Sequence, residues 1–177
     1  MKQKKQTKKQ ESGRSMIEMV GVLAVMGLIT AGAFVLITSA MSSQKMSRVD
    51  DDVSAVVAGT RLLYNTQQNF AGLNNEATGL LGFSGSNPYG GNYYLSSSDT
   101  NTGNNPTSET DARFYVYVGG LSQSQCNALK NRSWPGGSKG QTAGTVTLSN
   151  NVVTWTAATA CANNSNNVVR IEYGKAN

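Results

Sequence analysis

The first forty-four residues contain one long uncharged stretch. From Met19 to Gln44 there are 26 residues without an ionisable side chain, and most of them are apolar. A bilayer core needs about 20 apolar residues as helix. The segment is therefore long enough to cross a membrane as a single helix.

After Lys45 the pattern becomes amphipathic. Apolar positions recur at helical spacing, while charged residues mark a polar side. No proline precedes Pro88, so nothing in the sequence breaks the helix. We predict one helix from about Ser15 to Phe70, with Gly72 as its C-cap. Its apolar stripe is Val49, Val53, Val56, Thr60 and Leu63, and its solvated side is Asp50, Asp51, Asp52 and Arg61.

The rest of the chain predicts a β-sheet. Residues 74–112 are rich in Asn, Gly, Ser and Thr, which is typical of surface loops, with a short strand at 93–95. Strands are predicted at 113–118, 145–148, 152–156 and 168–173, with a hairpin turn at 149–151 and a short helix at 121–131 capped by Ser122. The fold class is α+β: a long N-terminal helix packed on a mostly antiparallel sheet. Its aromatic residues are predicted to lie in the core or on strand faces: Tyr115, Tyr117, Trp134 and Trp155.

Composition and charge exclude several functions. The chain has no His and two Cys, which excludes a Ser-His-Asp triad, a Cys-His dyad and a His- or Cys-caged metal. Residues 1–13 carry five Lys and one Glu, whereas residues 14–177 carry ten basic and nine acidic side chains. The basic character belongs to the first 13 residues. The remainder is nearly neutral and lacks the excess of basic residues that is typical of nucleic-acid binding. The Lys run also predicts a cytoplasmic N-terminus, with the rest of the chain outside. We expect no enzyme activity, no cofactor and no metal.

Glu18 is unusual for a plain membrane anchor, because it places a carboxylate at the rim of an apolar helix. One interpretation is a pair within the chain with Arg14, four residues earlier on the same face. The other is that Glu18 awaits a positive charge from another subunit. A secretory signal peptide, with Thr38, Ser39 and Ala40 as a cleavage-like site, and an ordinary signal anchor are alternatives for the whole segment.

The run Gly13-Arg14-Ser15-Met16-Ile17-Glu18, followed by a long apolar helix, resembles the processing motif of type IV prepilins. The resemblance implies that a prepilin peptidase cuts between Gly13 and Arg14, that Arg14 is N-methylated, and that Glu18 is the fifth mature residue. The 13-residue leader, the basic first mature residue and the absence of a proline at Val35 favour the type IVb branch.

The resemblance implies three parts: a basic leader at 1–13, a hydrophobic transmembrane and assembly helix at 14–44, and a globular head at 45–177 that includes the second half of the helix. Arg14 and Glu18 would make the charge contact of assembly. Filament packing would involve the apolar helix, in particular Met16, Val20, Leu23, Gly27 and Phe34. Gly21, Gly27 and Gly32 indicate either close helix packing or local melting on assembly.

The implied function is a structural subunit of a bacterial type IVb-like pilus that supports adhesion, aggregation or conjugation. Its partners would be identical subunits in a helical homopolymer, the prepilin peptidase and the inner-membrane assembly machinery, with no nucleic acid bound by the mature subunit. It would wait in the inner membrane with its head in the periplasm, and then enter an extracellular pilus. The alternatives are a minor pilin, a type II secretion pseudopilin, a membrane-anchored binding module that does not polymerise and, least favoured, an anchored hydrolase.

Cys126 and Cys161 are the two cysteines, 35 positions apart. The compartment beyond the membrane is oxidising, so we expect a disulfide between them. In the family an analogous disulfide bounds an exposed, variable region. Two buried thiols are the alternative, and the spacing does not fit a redox-active CxxC pair.

Overall fold

The computed structural model describes residues 14–81, 85–97 and 113–174. The leader at 1–13 and two parts of the predicted loop region, 82–84 and 98–112, lie outside these residues. Within them the elements follow the order α1 (Arg14–Leu63), α2 (Ala77–Leu80), β1 (Tyr93–Ser96), β2 (Arg113–Leu121), α3 (Gln123–Lys130), β3 (Gly140–Ser149), β4 (Val152–Ala158) and β5 (Asn167–Gly174).

Helix α1 has 50 residues and belongs to two compact units. The division falls between Gln44 and Lys45. The described part of the first unit is helix alone. The second unit, called the head below, contains the remaining turns of α1 and all the strands.

The five strands form one antiparallel sheet in the order β1-β2-β5-β3-β4. The central strand β5 pairs with β2 from Arg113↔Gly174 onwards and with β3 through Ala143↔Val169. Strands β2 and β5 are close to one another in space although about fifty residues separate them. The α+β prediction is confirmed.

One face of the sheet carries the main core. Alternate residues of β2 and β5 point to it because successive side chains of a strand lie on opposite faces. The end of α1 that belongs to the head packs there, and its buried residues are Val49, Val53, Val56, Val57 and Thr60. The sheet contributes Leu95, Phe114, Val116, Val118, Val169, Ile171 and Tyr173.

The opposite face holds a smaller aromatic cluster. Tyr115, Tyr117 and Trp155 are each at most 1% exposed, and Arg170 lies over the rings of Tyr115 and Trp155 at 4.6 and 5.2 Å. Guanidinium groups over aromatic faces are favourable contacts. Together with Trp134, which is buried in the main core, these residues confirm that the aromatics belong to the interior of the head.

The predicted end of α1 at Phe70 is wrong, because the helix ends at Leu63. Beyond it the chain tightens into turns, with Asn65 N donating to Leu62 O and Gln67 N to Tyr64 O. Phe70 then turns back into the core and packs on Phe114 with ring centroids 4.7 Å apart. Gly72, at φ 81°, belongs to this later turn rather than to a helix cap.

Two local predictions have a clear physical basis in the structure. Asn150 and Asn151 take φ values of 48° and 62° in the β3–β4 turn, which is the left-handed pair that a two-residue hairpin requires. Ser122 caps α3 in a capping box: its hydroxyl accepts from Gln125 N, and the Gln125 side chain accepts from Ser122 N.

Candidate functional site

The apolar half of α1 is exposed all round. Its large apolar side chains have relative exposures between 54% and 77%, and its most apolar 18-residue window, with mean hydropathy 2.5, buries nothing. By length and composition this helix can cross a membrane. A contiguous apolar surface of this extent marks a segment that lies in lipid or against other protein.

The residues predicted to pack in a filament share one face of this helix. Met16, Val20, Leu23, Gly27 and Phe34 are separated by intervals of four, three, four and seven positions, so they form one stripe. The four large side chains are 66–76% exposed, and nothing lies within 4 Å of a Cβ built at Gly27. The described residues place no other segment on this stripe.

Two threonine hydroxyl groups in this segment are satisfied within the helix. Thr30 Oγ1 donates to Met26 O at 2.8 Å, and Thr38 Oγ1 donates to Val35 O at 2.9 Å. Backbone and side-chain polar groups must find partners inside a segment that has no water around it. Both threonines are therefore compatible with a lipid or protein-core environment.

Glu18 lies on the first turns of α1 and is exposed. Its carboxylate has no hydrogen bond or ion pair with any side chain that the structure describes. Arg14 is the first residue of α1, and its side chain is outside the described set, as is Gly13. The pairing of Glu18 with Arg14, within one chain or between chains, stays a prediction.

The cysteine prediction is confirmed. Cys126 on α3 and Cys161 before β5 form a disulfide with a Cα–Cα distance of 6.0 Å. Both residues are buried, and Gln123 Nε2 adds a hydrogen bond to Cys161 O at 3.1 Å. The bridge joins α3 to the segment that leads into the central strand.

Asn167, which the sequence analysis did not single out, organises this segment. It is buried, and its Nδ2 donates to the carbonyls of Leu121, Ala162 and Asn164 at 2.9–3.0 Å. Its Oδ1 accepts from Ala162 N at 2.6 Å. An asparagine among several others in 163–167 gives no signal of this role until the sheet register places it beside Leu121.

Of the four charged residues predicted on the solvated side of α1, three are partly exposed and each has a partner elsewhere in the head. Asp50 pairs with Arg132, Asp52 accepts from Tyr93 Oη at 2.8 Å, and Arg61 donates to Gly174 O through Nε and Nη2. Asp51 is exposed as predicted. The charges flank the apolar stripe, so they reach groups at the rim of the sheet.

The predicted apolar stripe also needs two changes. Val57 is buried with a relative exposure of 2%, whereas Leu63 is 48% exposed. From Val49 to Thr60, successive buried residues are 4, 3, 1 and 3 positions apart. They therefore cover a wider face of the helix than the predicted apolar stripe. Leu63 lies at the helix end, where the chain already turns away.

Two buried tyrosines have perturbed acidity. Burial, followed by the hydrogen bond to Asp52, raises the pKa of Tyr93 well above its ordinary value. Burial also raises the pKa of Tyr173, and the nearby Arg61 offsets part of this rise. Both phenols stay neutral across physiological pH. Among the described residues no group of three or more His, Cys, Asp or Glu side chains is placed to hold a metal ion.

No protein-family model matches the chain, and no curated protein matches it either. The residues themselves therefore carry the functional argument.

Proposed function

We propose that this chain is a structural subunit of a bacterial type IV pilus, of the type IVb kind. A prepilin peptidase removes residues 1–13 by cutting between Gly13 and Arg14, and Arg14 becomes the N-methylated first residue. The subunit waits in the inner membrane and then polymerises through its N-terminal helix with identical subunits. Its role is structural rather than catalytic, in a fibre that serves adhesion, aggregation or conjugation.

The observation that carries this proposal is the exposed apolar helix with a single carboxylate at its start. From Met16 to Gln44 the helix offers apolar side chains in every direction and one charge, Glu18. A membrane anchor explains the apolar surface but not the carboxylate. A bundle of such helices explains both, because each Glu18 can meet the positive N-terminus of a neighbour.

The head supports the same interpretation. Its disulfide suits an oxidising compartment beyond the membrane. The part of α1 that belongs to the head buries one apolar stripe against the sheet. The preceding turns of the helix bury no apolar side chain. This contrast is expected for a subunit whose helix supplies both the core of its own head and the contacts of an assembly.

Minor pilins and secretion pseudopilins share the N-terminal pattern, and a non-polymerising anchored module shares the apolar helix. The family resemblance implies that a major pseudopilin would have a smaller head without a disulfide. The Cys126–Cys161 bridge therefore favours a pilin over a pseudopilin. A non-polymerising anchored module would tolerate substitution of Glu18, whereas a subunit that polymerises would not.

The experiment that tests the proposal determines the N-terminus and intact mass of the protein in sheared surface fibres. The host should express the matching prepilin peptidase. We expect a chain that starts at methylated Arg14 and is two hydrogens lighter than its reduced form. A chain that starts at Met1 and stays in the membrane fraction would overturn the proposal and leave an anchored domain. A peptidase-deficient host is the control, and it should accumulate the uncut chain in the membrane.

A further inference from the structure

A concave surface of about 540 Å³ lies on the head between the end of α3 and the start of β3. Residues 130–134 and 137–141 line it, and we call it the basic pocket. Its lining includes Lys130, Arg132 and Lys139 and contains no acidic residue. Three of the ten basic side chains in residues 14–177 therefore lie at one depression.

The positive charge of the pocket is only partly compensated. Arg132 uses Nη2 for its ion pair with Asp50 at 2.6 Å. Lys130 Nζ donates to the carbonyl of Thr159 at 3.1 Å, and it forms no ion pair with an acidic side chain in the described part of the chain. Lys139 is exposed, and its ammonium has no hydrogen bond or ion pair with the described residues. Two ammonium groups are thus available to an anion.

Helix α1 holds the pocket in place at two points. Asp50 fixes Arg132, and two turns further along α1 Val57 packs under Gly136. Gly136 has φ 80°, and a Cβ there would lie 3.0 Å from Val57 Cγ1, so the turn needs a residue without a side chain. The two contacts lie on one side of the helix, and they anchor the turn at 132–136 at both of its ends.

Further bonds hold the walls of the pocket. The buried Trp134 donates from Nε1 to Leu129 O at 3.1 Å, and Lys139 N donates to Glu172 O of the central strand at 2.8 Å. The loop is therefore ordered before any ligand arrives. A preorganised site pays little conformational entropy on binding.

We propose that the basic pocket binds an anionic saccharide, that is, a sugar bearing sulfate, phosphate or carboxylate groups. Lys130 and Lys139 would bind the anionic groups. The exposed side chains of Asn131 and Ser133 supply donors and acceptors for sugar hydroxyls. Trp134 is buried, and the other lining residues are polar or glycine, which suits a ligand rich in hydroxyl groups. This site belongs to the head and does not depend on polymerisation.

The test uses the full-length protein in detergent micelles and isothermal titration calorimetry. The probes are a heparin-derived hexasaccharide and a phosphorylated lipopolysaccharide inner-core oligosaccharide, which represent an animal-cell and a bacterial source. The matched neutral probes are their desulfated, N-acetylated or dephosphorylated forms in which every carboxyl group is also reduced to the alcohol. We expect at least one charged probe to bind, its neutral form not to bind, and the affinity to fall as salt rises. The probe that binds more tightly identifies the source.

Variants then locate the site. The double change Lys130→Gln with Lys139→Gln should weaken binding by about tenfold or more, because each removes a charge-assisted hydrogen bond. Lys130→Arg with Lys139→Arg should bind within a few-fold of the parent. The double change Lys45→Gln with Arg48→Gln, on α1 and away from the pocket lining, lowers the net charge by the same amount and should leave binding unchanged. Near-UV circular dichroism confirms that each variant is folded.

Three results would overturn the proposal. One is that neither charged saccharide binds the folded protein. Another is that the Lys45 and Arg48 variant loses as much affinity as the pocket variant, which assigns binding to net charge. The third is that a poly-glutamate peptide binds at the pocket more tightly than either saccharide, which assigns the site to acidic peptides.

Discussion

Arg132 and Asp50 join two distant parts of the head. Arg132 Nη2 donates to Asp50 Oδ2 at 2.6 Å, across 82 positions of sequence, and both side chains are about one quarter exposed. Arg132 also lies over the ring of Trp134 at 5.1 Å. The pair therefore ties the loop after α3 to helix α1 beside the main core.

We predict that this pair contributes measurably to stability. Asp50→Ala and Arg132→Ala should each lower the free energy of unfolding by about 1–2 kcal/mol. Arg132→Ala should cost more, because it also removes the contact with Trp134. Urea unfolding of the full chain in micelles, followed by tryptophan fluorescence, gives both values. The double variant should show a coupling of about 1 kcal/mol, and additive effects would mean that the pair stabilises nothing.

The two buried tyrosines should respond differently to removal of the hydroxyl. Tyr93 Oη donates to Asp52 at 2.8 Å, whereas Tyr173 Oη is buried and has no hydrogen-bond partner among the residues that the structure describes. Tyr93→Phe should cost about 2 kcal/mol, because it breaks a bond to a charged acceptor. Tyr173→Phe should be neutral or slightly stabilising, because the lost hydroxyl makes no bond. Thermal or urea unfolding at pH 7 compares the pair directly, and equal costs would contradict this account.

The same tyrosines predict a loss of stability at high pH. Their pKa values are raised in the folded protein, so the folded state holds protons that the unfolded chain releases above about pH 10. Stability should be unaffected by these groups below that pH and should fall above it, by about 1.4 kcal/mol per pH unit for each tyrosine. Unfolding measured between pH 8 and 11.5 tests the slope. Tyr173→Phe should make the slope of the unfolding free energy against pH shallower by the contribution of one tyrosine. An unchanged slope would show that Tyr173 does not cause the loss of stability.

The disulfide should be a major source of stability for the head. It closes a loop over a sequence separation of 35, and a constraint of that length contributes roughly 3–4 kcal/mol in the chain-entropy model. The double variant Cys126→Ala with Cys161→Ala should therefore unfold at much lower urea concentration. The parent protein reduced with dithiothreitol is the matched control, because it keeps both sulfur atoms. A loss below about 1 kcal/mol in both would show that α3 stays in place without the bridge.

Local patterns predicted most of the fold. The Asn150–Asn151 turn, the Ser122 cap and the strand runs depend on neighbours within a few residues, so they are readable from the sequence. The end of α1 is not readable in this way. It depends on Phe70 meeting Phe114, a residue 44 positions later that reaches this place only after the sheet has formed.

The candidate sites also differ in whether they depend on local sequence or on contacts between distant residues. Glu18 and the apolar stripe are local features of α1, and the sequence shows them directly. The partners of Asp50, Asp52 and Arg61 lie 82, 41 and 113 positions away, and periodicity places these charges on a solvated face instead. The basic pocket likewise becomes visible when the α3–β3 loop is anchored on α1 through Asp50 and Val57.

Glu18 provides the charge contact of the proposed filament. In a bundle of apolar helices its carboxylate would face the N-terminal ammonium of a neighbour in a medium of low dielectric. Glu18→Gln leaves that ammonium without a counter-charge, which costs about 3–5 kcal/mol at a buried contact. We expect fibre yield to fall by at least about tenfold, with an unchanged amount of protein in the membrane. Quantitative immunoblots of sheared fibres and membranes measure both, and Gln44→Ala, in the same exposed segment, should assemble like the parent.

A second variant separates contact between chains from a pair within one chain. Arg14→Met removes the guanidinium but keeps the N-terminal amine that processing creates. If Glu18 acts on the amine of a neighbour, this variant should be cut and should assemble near the parental level. If Glu18 pairs with Arg14 four residues earlier, Arg14→Met should lose fibres as severely as Glu18→Gln. Normal assembly of Glu18→Gln would contradict both interpretations, because it would show that the helices pack into a filament without the negative charge of Glu18.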